Sequence, residues 1–316
     1  MLLSRRPLAW LFAALLAIGM VAAAASQSLR GIAVLYPDIG EPYRAVFAKM
    51  IEGIQDQARG RVTSMPIGPS PNQQEIAREL RRQDVRVVIA LGRNGLKVAS
   101  NLERDIGVVV GGVVSVPEAD IRNYTVSSLA PDPALLFSRL KTFMPSAKRI
   151  FVVYDPGQNA WLMRLAKTAA SARGIELVAH EATDLQTALQ YYQSIIATME
   201  VGRDALWLPL DSTTVHESSV LPVVLQEAWG RNLTVFSSNV AHVRRGALFS
   251  LYPNNVEVGR NLAEFALDYL SSSTPPQRNV MPLKAVQLAV NVRTAAHLGV
   301  DIAGKQATFD LVFPEQ

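Results

Sequence analysis

Small polar side chains gather just after the short apolar runs of this sequence, and that is where its chemistry would lie. The runs end in Tyr36-Pro37-Asp38-Ile39-Gly40-Glu41-Pro42, Gly92-Arg93-Asn94-Gly95, Ser115-Val116-Pro117, Asp155-Pro156-Gly157-Gln158-Asn159, Pro209-Leu210-Asp211-Ser212-Thr213-Thr214 and Ser237-Ser238-Asn239. Loops of Asn, Asp, Ser, Thr and Gly have two physical uses. Their side-chain oxygens cap the helix that follows, which by itself accounts for roughly half of these residues. They also bind: exposed N–H groups at helix starts attract carboxylates, while an aspartate holds an ammonium. A zwitterionic amino acid would satisfy both.

The residue pattern argues against catalysis. The four histidines, His180, His216, His242 and His297, are scattered, and none has the i, i+4 spacing of a zinc helix. There is no G-x-S-x-G elbow, no Walker loop and no dinucleotide glycine motif. Asp211 with His216 would make an acid–base pair only if His216 turned inward from a helix start that faces solvent. With no cysteine in the chain, disulfides and thiolate sites are impossible. No enzyme activity, metal or cofactor is expected.

The elements that must hold these loops alternate strand and helix. Gly31 to Leu35, Val62 to Met65, Val85 to Leu91 and Ile106 to Val114 read as strands. Between the first two, Tyr43, Val46, Phe47, Met50, Ile51 and Ile54 recur at helical spacing. Ser70-Pro71-Asn72-Gln73 opens a second helix with a cap, a proline and a capping-box glutamine. The series restarts with a strand at Arg149 to Tyr154, a helix at Leu162 to Arg173 and strands at Ile175 to Ala179, Ala205 to Leu208 and Thr234 to Phe236. Helices near Leu185 to Met199 and Ser219 to Trp229 lie between them. β-Branched runs with helices between them predict parallel sheets covered on both faces. Two such series predict two doubly wound lobes, with ligand beyond the carboxyl ends of the strands. Trp161, one turn past the Asp155 loop, has two readings: stacking on a bound ring or covering the sheet edge. Tyr43 faces either the cleft or the buried stripe of its helix. Trp207 and Trp229 read as packing.

At the N-terminus, Arg5 and Arg6 precede 18 uncharged residues, Leu8 to Ala25, that end in small side chains. That is the order of a cleavable secretory signal over residues 1–26, an uncleaved anchor being the rival. No cysteine follows for a lipid anchor. Without that segment 29 basic side chains face 27 acidic ones, a net charge of +2 with no basic cluster, which argues against a nucleic-acid partner. About 290 mature residues suit two cores better than one.

Several segments resemble one family. PSAKRIFVVYDPGQNA (145–160) and RGIELVAHEATDLQTAL (173–189) resemble the periplasmic substrate-binding proteins of ABC transporters, in the branch with tryptophan- and tyrosine-type receptors. ALWLPLDSTTVHES (205–218), VFSSNVAHVRRGALFSLYPNNVEVGR (235–260) and VQLAVNVRTAAHLGV (286–300) are similar to that group's later segments. The match is loose over 30–140. What the resemblance implies is a type I periplasmic-binding-protein-like α/β fold: two doubly wound parallel-sheet lobes joined by a three-crossover hinge. Lobe one would be 27–125 plus 252–278, and lobe two 126–251 plus 279–316. The implied ligand contacts are Asp155, Asn159, Asp211, Thr213 and Ser238 in lobe two, with Tyr252 near the hinge and the loops of Asp38, Asn94 and Ser115 in lobe one. The implied role is a monomeric periplasmic receptor that closes over a small polar or zwitterionic solute, an aromatic amino acid being one candidate. The partner would be an inner-membrane ABC permease, or alternatively a membrane sensor, with a structural adaptor as a third possibility.

Overall fold

The computed structural model describes residues 31–59, 62–103, 105–116, 124–272, 279–302, 304 and 308–314. The expected signal segment, 1–26, lies outside them.

Two sheets are formed. In the first, β1 (Ile32–Pro37), β2 (Val62–Ile67), β3 (Val87–Leu91), β4 (Gly107–Val113), β5 (Thr125–Pro131) and β11 (Val280–Leu283) take the order β11-β5-β4-β3-β1-β2, all parallel. In the second, β6 (Arg149–Tyr154), β7 (Glu176–Glu181), β8 (Asp204–Leu208), β9 (Thr234–Ser237), β10 (Phe249–Pro253), β12 (Val286–Asn291) and β13 (Leu311–Phe313) take the order β13-β12-β10-β9-β8-β6-β7. Only the β10–β12 pair is antiparallel there.

Strands β1, β3, β6 and β8 are buried on both faces, which is why they read as near-continuous apolar runs instead of alternating ones. In β1, Ala33 and Leu35 face one core while Ile32 and Val34 face another. In β8, Ala205 and Trp207 join one cluster and Leu206 and Leu208 the opposite one. The covering helices of the first sheet are α1 (Tyr43–Gln57), α2 (Gln73–Arg82), α3 (Gly92–Ala99) and α9 (Asn255–Ser271). Those of the second include α4 (Pro133–Phe143), α5 (Pro156–Ser171), α6 (Leu185–Thr198), α7 (Leu221–Gly230), α8 (Val240–Arg244) and α10 (Val292–His297).

The chain passes between the sheets three times, and two of the crossings double as helix caps. At Asp132 the main-chain N–H donates to Leu283 O (2.9 Å), while the carboxylate accepts from Ala134 N (2.8 Å) at the start of α4. At Asn254 the N–H donates to Ala285 O (2.9 Å), and the side chain caps α9 through Glu257 N (3.3 Å). The third crossing is Lys284–Ala285, between β11 and β12. Each hydrogen bond joins two of the three connections, so the connections form one unit.

Sheet membership corrects the expected boundaries. β5 pairs with β4 and β11, so the first sheet keeps the chain to Pro131 and the crossing falls at Asp132, not between 125 and 126. For the same reason the third crossing follows Leu283 and not 278, and the second falls at Asn254 instead of 251/252. The sequence reading has neither β5 nor α4, because Ser127 and Ser128 interrupt the apolar pattern. The Ser128 hydroxyl is in fact satisfied inside, donating to Val114 O (2.5 Å) and accepting from Ala130 N (3.0 Å).

Candidate functional site

The carboxyl ends of the two sheets face one cavity of about 450 Å³. From the first sheet it is lined by Arg93, in the first turn of α3, and by Val114 and Ser115 after β4. From the second it is lined by Gln158 in α5, by Pro209 to Ser212 and Val215 to Ser218 after β8, and by Asn239 and His242 around the start of α8. These are the ends at which doubly wound sheets place their ligands.

The floor on the second sheet is a single polar network built around Asp211. This side chain is 5% exposed. Its Oδ2 accepts from Asp155 N (2.7 Å) and Asn159 Nδ2 (2.9 Å); its Oδ1 accepts from Thr213 N (3.0 Å) and Thr214 N (2.8 Å). Four donors fill the roughly four lone-pair positions of a carboxylate. Asp211 thus staples the β6–α5 loop to the β8–α7 loop. Around it, Asp155 caps α5 through Gly157 N (2.9 Å) and accepts from Thr213 Oγ1 (2.8 Å) and Gln158 Nε2 (3.1 Å). Partial burial acts to raise the Asp155 carboxyl, but the hydrogen bonds from Gln158, Thr213 and Gly157 outweigh it and hold the group below the usual carboxylate range. Gln158 closes the ring by accepting from Ser212 Oγ (3.1 Å).

Of the ten residues expected to touch ligand, Ser115 and Asp211 line the cavity. Asp155, Asn159 and Thr213 stand behind them in the network; Asn159 is 1% exposed, its amide N–H donating also to Leu210 O (3.2 Å) while its Oδ1 is buried without a partner. Ser238 is buried and accepts from the Trp207 indole N–H (3.0 Å). Trp161 packs on the core of the second sheet beside α4, away from the cavity lining. Tyr252 lies at the hinge end of β10 and packs with Val243, Ala289 and Phe313; burial and the nearby Asp310 carboxylate push its phenol up. Asp38 is exposed, and Asn94 is half-buried in α3; neither lines the cavity. Tyr43, 65% exposed at the head of α1, is outside its helix's buried stripe. The reading missed Arg93, Glu217 and His242 as lining residues. The first sits in a loop already singled out, but the other two carry no local signal.

His242 is 2% exposed, with Nδ1 2.8 Å from Ser237 Oγ and an unpartnered Nε2. Burial, aided by the Arg245 charge, pushes its imidazole down to about 4. The unfolded chain, titrating near 6.5, then binds the extra proton as pH falls, so stability is whole above about 6.5 and declines towards 4. His180, also lowered by burial, acts in the same direction. Between pH 7.5 and 5, before most carboxylates titrate, we expect a loss of about 2 kcal/mol in urea unfolding. His242→Phe should remove most of that slope; a slope unchanged by the substitution would place its cause elsewhere.

The sequence profile of the ABC transporter substrate binding protein family matches residues 70–307. The chain belongs to this family. Among curated proteins none matches significantly. Of solved structures, a ligand-free, open substrate-binding protein with adhesive properties from Clostridium difficile is 19% identical, with a TM-score of 0.65 over 90% of this chain and 100% of that one. The ABC domain of Streptococcus pneumoniae in complex with L-Trp is 16% identical, with a TM-score of 0.54 over 89% and 99%. A conserved domain protein from Vibrio cholerae is 21% identical, with a TM-score of 0.54 over 90% and 99%. At these identities the shared feature is the fold, the two-lobed type I binding-protein architecture. The family is a class of substrate-binding proteins, generally without catalytic activity. No helix among the described residues is long and apolar enough to cross a membrane, and no group of three or more His, Asp or Glu among them could hold a metal ion.

Proposed function

We propose that this ABC substrate-binding protein works in the periplasm, exported by residues 1–26, and delivers a small polar or zwitterionic solute to an inner-membrane ABC permease. The observation that carries the reading is the cavity of about 450 Å³, lined from both lobes at the strand ends. That volume is in the range of small-molecule sites. A solute touching both walls favours the form in which they approach, and closure is driven by that differential contact. The three crossings, pinned by the Asp132–Leu283 and Asn254–Ala285 hydrogen bonds, supply a hinge. Asp211 and the ring of Asp155, Gln158 and Thr213 serve as the scaffold of the pocket, with Ser115 contacting ligand from the opposite lobe.

The L-Trp bound by the pneumococcal neighbour puts amino acids first among solutes to try. Yet no Trp, Tyr or Phe among the described residues lines this cavity, so an aromatic ring would find no stacking surface among them. Thermal unfolding of the mature chain with amino acids, nucleosides and small carboxylates tests the proposal. A ligand at a hundred times its dissociation constant should add about 2.7 kcal/mol of stability. If no solute in the panel raises the melting temperature, solute capture by this cavity is wrong.

A further inference from the structure

The cavity holds two unspent charges of opposite sign, one on each lobe. Arg93 is exposed at the first turn of α3 and lines the cavity from the first sheet; among the described residues it has no hydrogen-bond or ion-pair partner. Glu217 is exposed after β8 and lines the cavity from the second sheet. Its main-chain oxygen accepts from Arg245 Nη1 (2.9 Å), but its carboxylate has no ion pair among the described residues. The third charged group, Asp211, is closed to a ligand because four donors already occupy it. Of the two lining histidines, His216 Nδ1 is 3.2 Å from Ser218 Oγ, and the buried His242 is neutral.

We propose that Arg93 and Glu217 select the ligand class: a small zwitterion whose carboxylate binds the Arg93 guanidinium and whose ammonium binds the Glu217 carboxylate. The inference rests on the solute-capture reading and sharpens it. Such a ligand bridges the lobes with its own two charges, so closure itself completes the pair of charge-assisted hydrogen bonds. A plain anion would leave Glu217 facing it across the cleft, and a plain cation would face Arg93. The charges the ligand needs are thus the complement of two lining side chains that form no ion pair among the described residues. This assigns the ammonium to Glu217 instead of to an aspartate of the strand-end loops.

The experiment uses the mature chain and three probe pools, read by calorimetry at low salt: L-amino acids, the amines that lack their carboxylate, and the acids that lack their amino group. Binding is expected from the amino-acid pool alone, weakened at least about tenfold by each of Arg93→Gln and Glu217→Gln. Both side chains are exposed and unpartnered, so each variant should unfold at the wild-type urea midpoint without ligand. A binder whose affinity neither variant changes overturns the proposal and leaves solute capture standing. A binder from the acid pool that is weakened by Arg93→Gln but not by Glu217→Gln shows an anion site, which also overturns it. Absence of binding from all three pools overturns the proposal; solute capture then stands if a nucleoside or other solute of the wider panel still raises the melting temperature, and falls with it if none does.

Discussion

Gly259→Ala should cost about 2 to 4 kcal/mol of stability, although alanine is the better helix former by roughly 1 kcal/mol. A Cβ at Gly259 would stand 2.0 Å from Met50 O and 2.9 Å from Met50 C. The contact is reciprocal: a Cβ at Gly53 would stand 1.9 Å from Val256 O. Two helix backbones therefore touch, α1 through Gly53 and α9 through Gly259, with no side chain between them. Neither obstacle is a flexible side chain that can swing away. The helices must part, and Met50, Ile54, Val258 and Leu262, all buried in the shared core, must part with them.

Because α9 carries the chain from the second lobe back to the first, loosening it also loosens the hinge at Asn254. The check is urea unfolding of Gly259→Ala, Gly53→Ala and the double variant. The double should cost less than the sum, since either substitution alone already separates the helices. Gly40→Ala, with nothing within 4 Å of its Cβ, is the control and should change stability by less than about 0.5 kcal/mol. A Gly259→Ala protein as stable as wild type would mean that the helices are not in backbone contact.

Local pattern made much of this architecture readable. Runs such as Val87 to Leu91 are apolar at every position because both faces of the sheet are covered, and no partner need be known to see it. The Tyr252-Pro253-Asn254 turn was legible as a hinge through the family resemblance, since a strand followed by a helix is by itself one more α/β unit. β5 escaped because Ser127 and Ser128 break its apolar run, and composition does not reveal that main-chain groups of its own neighbourhood satisfy the buried Ser128 hydroxyl. The glycine contact was half visible: a glycine inside each of two periodic helices is a cost that asks for a reason, but which helix meets which is a tertiary fact.

The site was less legible, for a definite reason. Type and loop position identify residues able to bind, whereas binding depends on what those residues have left over after the protein has used them. Asp155, Asn159, Asp211, Thr213 and Ser238 have the right types and sit at the right strand ends, but their polar atoms are largely spent on one another and on Trp207. Arg93 and Glu217 look ordinary in sequence and stand out only because both line the cavity while their side chains form no ion pair among the described residues. Trp161 shows the same limit for apolar groups, since one turn of helix decides between core and cleft.

Asp211 offers the sharpest separation between a scaffold and a contact. Asp211→Ala should cost about 4 kcal/mol, because it strips the acceptor from Asp155 N, Thr213 N, Thr214 N and Asn159 Nδ2 at one stroke, in a place with little access to water. Asp211→Asn keeps the shape and still should cost about 2 kcal/mol. Whichever way the amide turns, its NH2 meets two N–H donors that previously met an oxygen. Ligand affinity should fall as well, since the β6–α5 and β8–α7 loops that form one wall lose their common anchor. The two readings differ in what falls with what. For a scaffold, stability and affinity decline together in both variants, while Arg93→Gln and Glu217→Gln lower affinity alone. For a direct ammonium contact, Asp211→Asn would leave the urea midpoint near wild type and abolish binding. Measuring midpoint and affinity on the same four variants decides the matter, and the saturated geometry of the Asp211 carboxylate predicts the first pattern.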